Sequence, residues 1–372
     1  MQALHAIKKH RTARSHLGID AGRESVRVAQ LSRNDGVWTA KLLVSWRVPR
    51  GTPSYHDDPA VAERLSRWLR KLNARGRGAV VGLSPPDIEL HAMELPLSAG
   101  DDDGQRMAAR FEVQRLMSFN DSAAEIDFWP VPASKFMSTT AIGVAALKSR
   151  LDSILRISSD AHLDCVQVDA APCALARFAT AIRGASATDD DVWGVLDLGR
   201  RMTRLILCVG ETPVVARVFE YGGDSWTKKL ASSLAVSEEA AERHKCDQGI
   251  VRLARSRSTQ PAETARGAIG EMIYNVLRSD LNAILGEVER TYRYVLQCYS
   301  GRQPGPLMLT GGGAAMHNLD RLIADQLGIE VTAPSTVNGT RLGQLDVSPV
   351  IHNIREPISS FACAIGLAMS GG

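Results

Sequence analysis

The sequence predicts an α/β fold of two similar lobes, with a small α/β subdomain inserted into the first. Three observations carry that expectation. Apolar runs of strand length alternate with stretches whose apolar residues recur at helical spacing. An Asp-x-Gly turn at the end of an apolar run occurs twice, in Leu17-Gly18-Ile19-Asp20-Ala21-Gly22 and in Val195-Leu196-Asp197-Leu198-Gly199. A further apolar run, Pro306-Leu307-Met308-Leu309-Thr310, meets Gly311-Gly312-Gly313.

Sliding the first turn by 177 positions puts Asp20 on Asp197, Gly22 on Gly199 and Arg27 on Arg204. Both copies continue as a strand to a polar turn, Asn34-Asp35-Gly36 and Gly210-Glu211-Thr212-Pro213. Solenoid periods are about 20–50 residues, so a single repeat at this interval points to a duplicated domain. A chain of 372 residues has the length for two cores.

Residues 1–16 carry Lys8, Lys9, Arg11 and Arg14 without an apolar segment or cleavage site behind them. They read as a basic disordered tail and not a secretion signal; weak attraction to an anionic membrane is the alternative. The first lobe is expected at 17–85, joined by 163–185. After its hairpin come a strand at Trp38–Val48 and a Pro- and Asp-rich loop, Pro49–Pro59. Val61, Leu65, Trp68, Leu69 and Leu72 recur at helical spacing, and Ala79–Leu83 reads as a buried strand ended by Pro85-Pro86.

Residues 86–162 form the expected insertion. Its strand Ile88–Pro96 is followed by an acidic turn, Asp101-Asp102-Asp103, and a helix carrying Met107, Arg110, Phe111, Gln114 and Met117. Strands follow at Ile126–Val131 and Thr139–Ala146. A strand at Cys165–Val168 and a helix at Pro172–Ile182 lead to the second lobe, 186–354. There the repeated hairpin and a strand at Pro213–Glu220 precede a Gly222-Gly223 turn into a helix. A subdomain is expected at 223–305, with a second helix at Ser237–Lys245, a polar loop or weak helix at Cys246–Pro261, and a long amphipathic stretch at Ala265–Tyr299. A helix at Leu319–Leu327 and a last strand at Ile329–Val331 complete the lobe.

Composition narrows the function. Lys and Arg number 44 against 41 Asp and Glu, and aromatic residues make up 5%, which argues against nucleic-acid binding. The six cysteines are scattered without a Cys-x-x-Cys pair and read as reduced thiols. No segment has the length and hydrophobicity of a membrane span. The phosphate loop, the dinucleotide fingerprint, the zinc-protease motif and the nucleophile elbow are all missing from the sequence.

Two facing Asp-x-Gly turns would suit a chain of phosphates. Gly22 and Gly199 let backbone N–H groups converge on anions. Asp20 and Asp197 could hold Mg2+ through its waters, and Ser25 and Thr203 could add hydroxyl contacts. Gly222 and Gly223 open the next helix. Gly311, Gly312 and Gly313 allow close approach of a base or ribose. Glu242 and Lys245, at i and i+3 on one helical face, could reach adenine and ribose.

In that order these elements resemble the actin-like ATPase superfamily: Asp20-Ala21-Gly22 and Asp197-Leu198-Gly199 resemble its two phosphate motifs, Leu309-Thr310-Gly311-Gly312-Gly313 its adenosine motif. Ala362–Ala368 is similar to the helix that closes its first domain, which implies that 355–372 joins the first lobe. Within the superfamily the chain is similar to the PilM family of type IV pilus assembly proteins, over Leu17–Met369. The match rests on Glu94-Leu95-Pro96, Phe111-Glu112-Val113-Gln114, Leu116-Met117-Ser118-Phe119, Val168–Arg177 and Ala240-Ala241-Glu242-Arg243-His244-Lys245.

The resemblance implies a two-lobed actin-like (ribonuclease-H-like) fold, ATP or ADP with Mg2+ between the lobes, and a cytoplasmic scaffold. Its implied partners are the cytoplasmic tail of a PilN-type membrane protein and other pilus platform proteins, with self-association also in view. Membrane contact would be indirect, at the inner membrane through the partner. An FtsA-like division protein is the alternative, and a small-molecule kinase ranks below it. No catalytic residue can be assigned, so at most slow ATP hydrolysis is expected. Arg23, Arg200 and Arg201 depart from the small residues usual after these turns. Two readings of them stand: one contacts phosphates, or they fill an empty cleft and pair at its rim with Glu24.

Overall fold

The structure, a computed structural model, describes residues 14–22, 25–49, 55, 57–72, 78–85, 87–95, 102–118, 123–134, 136, 138–183, 191–251, 261–335 and 339–370. The chain begins with β1 (Leu17–Ala21), β2 (Ser25–Asn34) and β3 (Val37–Arg47), a run of antiparallel hairpins. Asp35 and Gly36 make the second corner with φ of 48° and 77°, the left-handed pair that a two-residue hairpin turn requires. Next comes α1 (Pro59–Lys71), which starts where Asp58 accepts from the backbone N–H of Ala60 at 2.8 Å. It buries Val61, Leu65 and Leu69 and is followed by β4 (Gly78–Leu83).

The insertion contains β5 (Ile88–Met93), α2 (Asp102–Leu116), β6 (Ala124–Pro130) and β7 (Ala141–Leu147), with strands in the order β5-β7-β6. Then α3 (Lys148–Asp160), β8 (Asp164–Ala170) and α4 (Ala171–Arg183) return the chain to the first lobe. The second lobe opens with β9 (Asp191–Leu198), β10 (Thr203–Val209) and β11 (Thr212–Phe219). Three helices follow, α5 (Gly223–Leu234), α6 (Glu238–Gln248) and α7 (Pro261–Cys298). The chain continues through β12 (Gln303–Thr310), α8 (Leu319–Leu327), β13 (Val331–Thr332), β14 (Arg341–Leu342), β15 (Leu345–Asp346) and α9 (Ala362–Ala368).

The two large sheets have the same plan. One runs β14-β15-β3-β2-β1-β4-β8, the other β11-β10-β9-β12-β13. In each, the strand bearing the aspartate pairs antiparallel with its hairpin partner on one side. On the other side it pairs parallel with a later strand: β1 with β4, and β9 with β12. Between the sheets lie α4 and α9, whose apolar residues join one core with Ala29 and Val80 of the first sheet and Trp193, Val195 and Ile206 of the second. The helices cross backbone to backbone. A Cβ on Gly366 would stand 1.8 Å from the Ala174 carbonyl oxygen, so only glycine fits there.

Three features differ from the sequence expectations. Residues 14–16 of the expected tail run beside β2, where the Ser15 N–H donates to the Leu31 carbonyl at 2.8 Å; residues 1–13 lie outside the described residues. The strand expected last is followed by β14 and β15, and β15 pairs with β3. Residues 341–346 therefore sit in the first lobe's sheet, ahead of the boundary expected at 355. Helix α3 went unread because its buried face mixes Ile154 and Ile157 with Ser153 and Ser158.

Candidate functional site

Each Asp-x-Gly turn is built the same way. A Cβ on Gly22 would lie 2.7 Å from the carbonyl oxygen of Ser25, and one on Gly199 would lie 2.7 Å from that of Met202, three residues on in both cases. Register then places Asp20 opposite Arg27 and Asp197 opposite Arg204. The Tyr55 hydroxyl donates to the Ala21 carbonyl and ties down the first turn. Ser25 heads β2. Arg23 and Glu24 lie outside the described residues.

The structure brings the two aspartates within Coulombic reach of each other, with Arg204 beside both. Nη1 of Arg204 donates to Oδ2 of Asp197 at 2.8 Å, and the hydroxyl of Thr310 donates to Oδ1 at 3.0 Å. The Nε of Arg204 is buried and has no hydrogen-bond partner. Burial pushes the Asp20 carboxyl up; the charges of Arg27 and Arg204 oppose this, and Asp197 adds to it. Burial works against the Arg204 charge, but Asp197 and Asp20 outweigh it and hold its pKa above the usual value. Arg27 turns to the end of the chain, where its Nε donates to Glu356 at 2.9 Å.

The adenosine-motif glycines abut this corner. Gly311 has a φ of 80°, and a Cβ there would lie 2.5 Å from the Leu198 carbonyl oxygen and 2.9 Å from Asp197 Oδ1. Its N–H donates to the Ser359 carbonyl at 2.9 Å, which links the second lobe to the segment leading into α9. A Cβ on Gly313 would meet Leu198, whereas Gly312 faces more open space.

The second turn is locked to the start of α5. The N–H groups of Gly223 and Asp224 donate to the carbonyls of Gly199 and Arg200 at 3.1 and 2.8 Å. The buried Thr203 hydroxyl donates to the Tyr221 carbonyl at 2.8 Å. A Cβ on Gly222 would lie 2.4 Å from the carbonyl carbon of Arg201. Exposed Arg200 pairs with Asp224 at 2.7 Å, a partner the sequence did not suggest.

Glu242 and Lys245 stand beside that helix start. Lys245, which is buried, donates to the Gly223 carbonyl at 3.0 Å, the Thr227 hydroxyl at 2.7 Å and Glu242 at 2.6 Å. Burial opposes the Glu242 charge, but the hydrogen bonds from Lys245 and Thr227 and the Lys245 charge prevail and hold its carboxyl below the usual range. Thus Gly199, Arg200, Gly222, Gly223, Glu242 and Lys245 form one continuous patch, next to a second group of Asp20, Asp197, Arg204 and Gly311.

Arg204 is the residue sequence reasoning passed over. Its signal was available: a tight turn sets the residue seven beyond Asp197 across from it, as Arg27 stands across from Asp20. The arginine bears directly on metal binding. Mg2+ held through water needs carboxylate lone pairs facing a region of negative potential. Both oxygens of Asp197 already accept from within the protein, and a fixed guanidinium stands beside both acids. The pair does not suit a divalent cation.

Two surface hollows, of about 250 Å³ beside Trp46 and Trp68 and about 520 Å³ beside Phe219 and Tyr221, are not lined by these glycines or aspartates, although the second reaches Tyr221, next to Gly222.

A family model described as type IV pilus assembly protein PilM matches residues 18–371. Among solved structures, a PilM-PilN type IV pilus biogenesis complex is similar, at 23% identity and a TM-score of 0.70, covering 96% of this chain and 98% of that one. Ethanolamine utilization protein EutJ from Carboxydothermus hydrogenoformans is similar at 15% identity and a TM-score of 0.51, over 96% of this chain and 90% of that chain. MreB 5 of Spiroplasma citri bound to AMPPNP is similar at 10% identity and a TM-score of 0.50, over 95% of each. These likenesses give the chain an actin-like ATPase fold.

Proposed function

We propose a function from one premise: this chain belongs to the PilM family of type IV pilus assembly proteins, matched over residues 18–371. It is an actin-like scaffold of a pilus assembly platform, working through protein contacts. Its partner is a PilN-type membrane protein, whose cytoplasmic tail it holds. The observation that carries this reading is the family match, supported by the similarity to a PilM-PilN complex over nearly the whole of both chains. The division-protein alternative finds no such support.

In this reading attachment to the inner membrane runs through the partner; no helix among the described residues is long and apolar enough to cross a membrane. Calorimetry of the full chain with the tail peptide of the cognate PilN-type protein tests the scaffold. Saturable binding is expected; a folded chain that takes up no tail peptide overturns it. Vesicle flotation tests the attachment: the chain floats with vesicles carrying the partner and stays behind without it.

An adenine nucleotide bound between the lobes is the second part of the proposal. Gly312, which faces more open space next to the Asp197 turn, and Lys245 and Glu242 beside Gly223 offer the close backbone approach and the polar groups that a base, ribose and phosphates need. The nucleotide acts as a conformational ligand of the two lobes. Titration with ATP and ADP tests this, and the absence of heat from a folded chain removes it.

A further inference from the structure

We propose that Arg204 is the resident cation of this cleft, standing where the fold would otherwise use a divalent metal ion, so that nucleotide binding does not depend on Mg2+. The inference deepens the nucleotide reading and rests on it. Position comes first. Arg204 is fixed by strand register opposite Asp197, donates to its Oδ2 at 2.8 Å, and lies near enough to Asp20 to feel its charge. The two acids on which a metal would depend therefore share a guanidinium supplied by the chain.

Occupancy of the lone pairs is the second observation. Thr310 donates to Oδ1 of Asp197 and Arg204 to Oδ2, so an incoming hydrated ion finds each oxygen already sharing one of its two lone pairs and approaches a permanent positive charge. A third comes from the counterpart arginine. Arg27 is paired with Glu356 at 2.9 Å and divides its charge between that carboxylate and Asp20, whereas Arg204 is the cation set beside both acids. Finally, the Nε–H of Arg204 is buried without an acceptor, a donor that a phosphate oxygen could satisfy once the lobes rearrange around a ligand.

The test compares ATP affinity of the full chain by calorimetry, in chelator and in Mg2+, for the wild type, Arg204→Lys and Arg204→Ser. The wild type and Arg204→Lys should bind equally in the two buffers, to within about threefold, while Arg204→Ser should gain about tenfold or more from Mg2+. A wild-type affinity that falls about tenfold or more in chelator overturns the proposal.

Mn2+ binding without nucleotide, followed by its paramagnetic resonance, separates the two ideas. Arg204→Ser should take up an ion that the wild type does not, and Asp20→Asn in that background should abolish it. Should the wild type bind ATP in neither buffer, the nucleotide reading fails, and the Mn2+ result decides the arginine alone: equal uptake by wild type and Arg204→Ser overturns it. If Arg204→Ser does not fold, wild type and Arg204→Lys compared in chelator and in Mg2+ still decide the matter.

Discussion

Asp197 and Arg204 face each other across β9 and β10 with 2.8 Å between Oδ2 and Nη1, in the register that Asp20 and Arg27 hold across β1 and β2. The duplicated hairpins have thus kept an acid opposite a base and changed what the base does. Arg27 also binds Glu356; Arg204 stays beside the two aspartates.

Breaking the second pair should be costly. Asp197→Ala leaves the Arg204 charge buried without its acceptor, and the expected loss is about 3–5 kcal/mol of stability. Asp197→Asn keeps one acceptor oxygen and should lose less. Urea unfolding of both variants checks the order.

The turn glycines should be irreplaceable for a steric reason. Gly22→Ala and Gly199→Ala each drive a Cβ to 2.7 Å from a backbone carbonyl oxygen, and a loss of about 1–3 kcal/mol is expected at each. Their effects should be similar, because the clash is the same. Gly312→Ala is the control: the nearest neighbour to its Cβ is the Ser360 hydroxyl at 3.7 Å, so its unfolding midpoint should barely move.

Glu356 predicts a pH dependence. Burial raises its pKa, but the charge of Arg27 and hydrogen bonds from Ser45 and Arg27 outweigh that and hold the carboxyl below its usual range. A depressed folded value means stability that is fully present above the unfolded value and lost as pH falls through the folded one. Near neutrality Glu356→Gln should therefore unfold more easily than wild type, by about 1.5–3 kcal/mol for a charged hydrogen-bonded pair. The gap should close in acid below the carboxylate range, as read from unfolding midpoints across pH.

Lys245→Met removes three hydrogen bonds at the α5–α6 junction. It should weaken adenine nucleotide binding by about tenfold or more and cost about 1–3 kcal/mol through the acceptors left at Gly223, Thr227 and Glu242. Glu242→Gln, half-exposed and still able to accept, should do less on both counts.

Much of the fold was legible because its strongest devices are local. The hairpins declare themselves through Asp20, Gly22, Asp197 and Gly199, and most of α7 through the apolar spacing of Ile273, Leu281, Ile284, Leu285 and Val288. Other features depend on distant partners. Strands β14 and β15 have two residues each, and the pairing of Leu345 with Trp38 has no local pattern. Arg204 was hidden differently. Its charge reads as an outward-facing strand position, and only the opposing lobe makes it interior, by bringing Asp20 to its side.

The wedge formed by α9 has a consequence for how the protein is made. Gly18 of β1 packs so closely on α9 that a Cβ there would lie 2.0 Å from the Ala364 carbonyl oxygen. Strand β1 is therefore covered by a helix translated hundreds of residues later, a wait on the order of tens of seconds at ordinary elongation rates. Helix α4 covers part of the inner face earlier, but the strip around Gly18 stays bare until then, and chaperone occupancy on that strip should fall only as Ala362–Ala368 emerges.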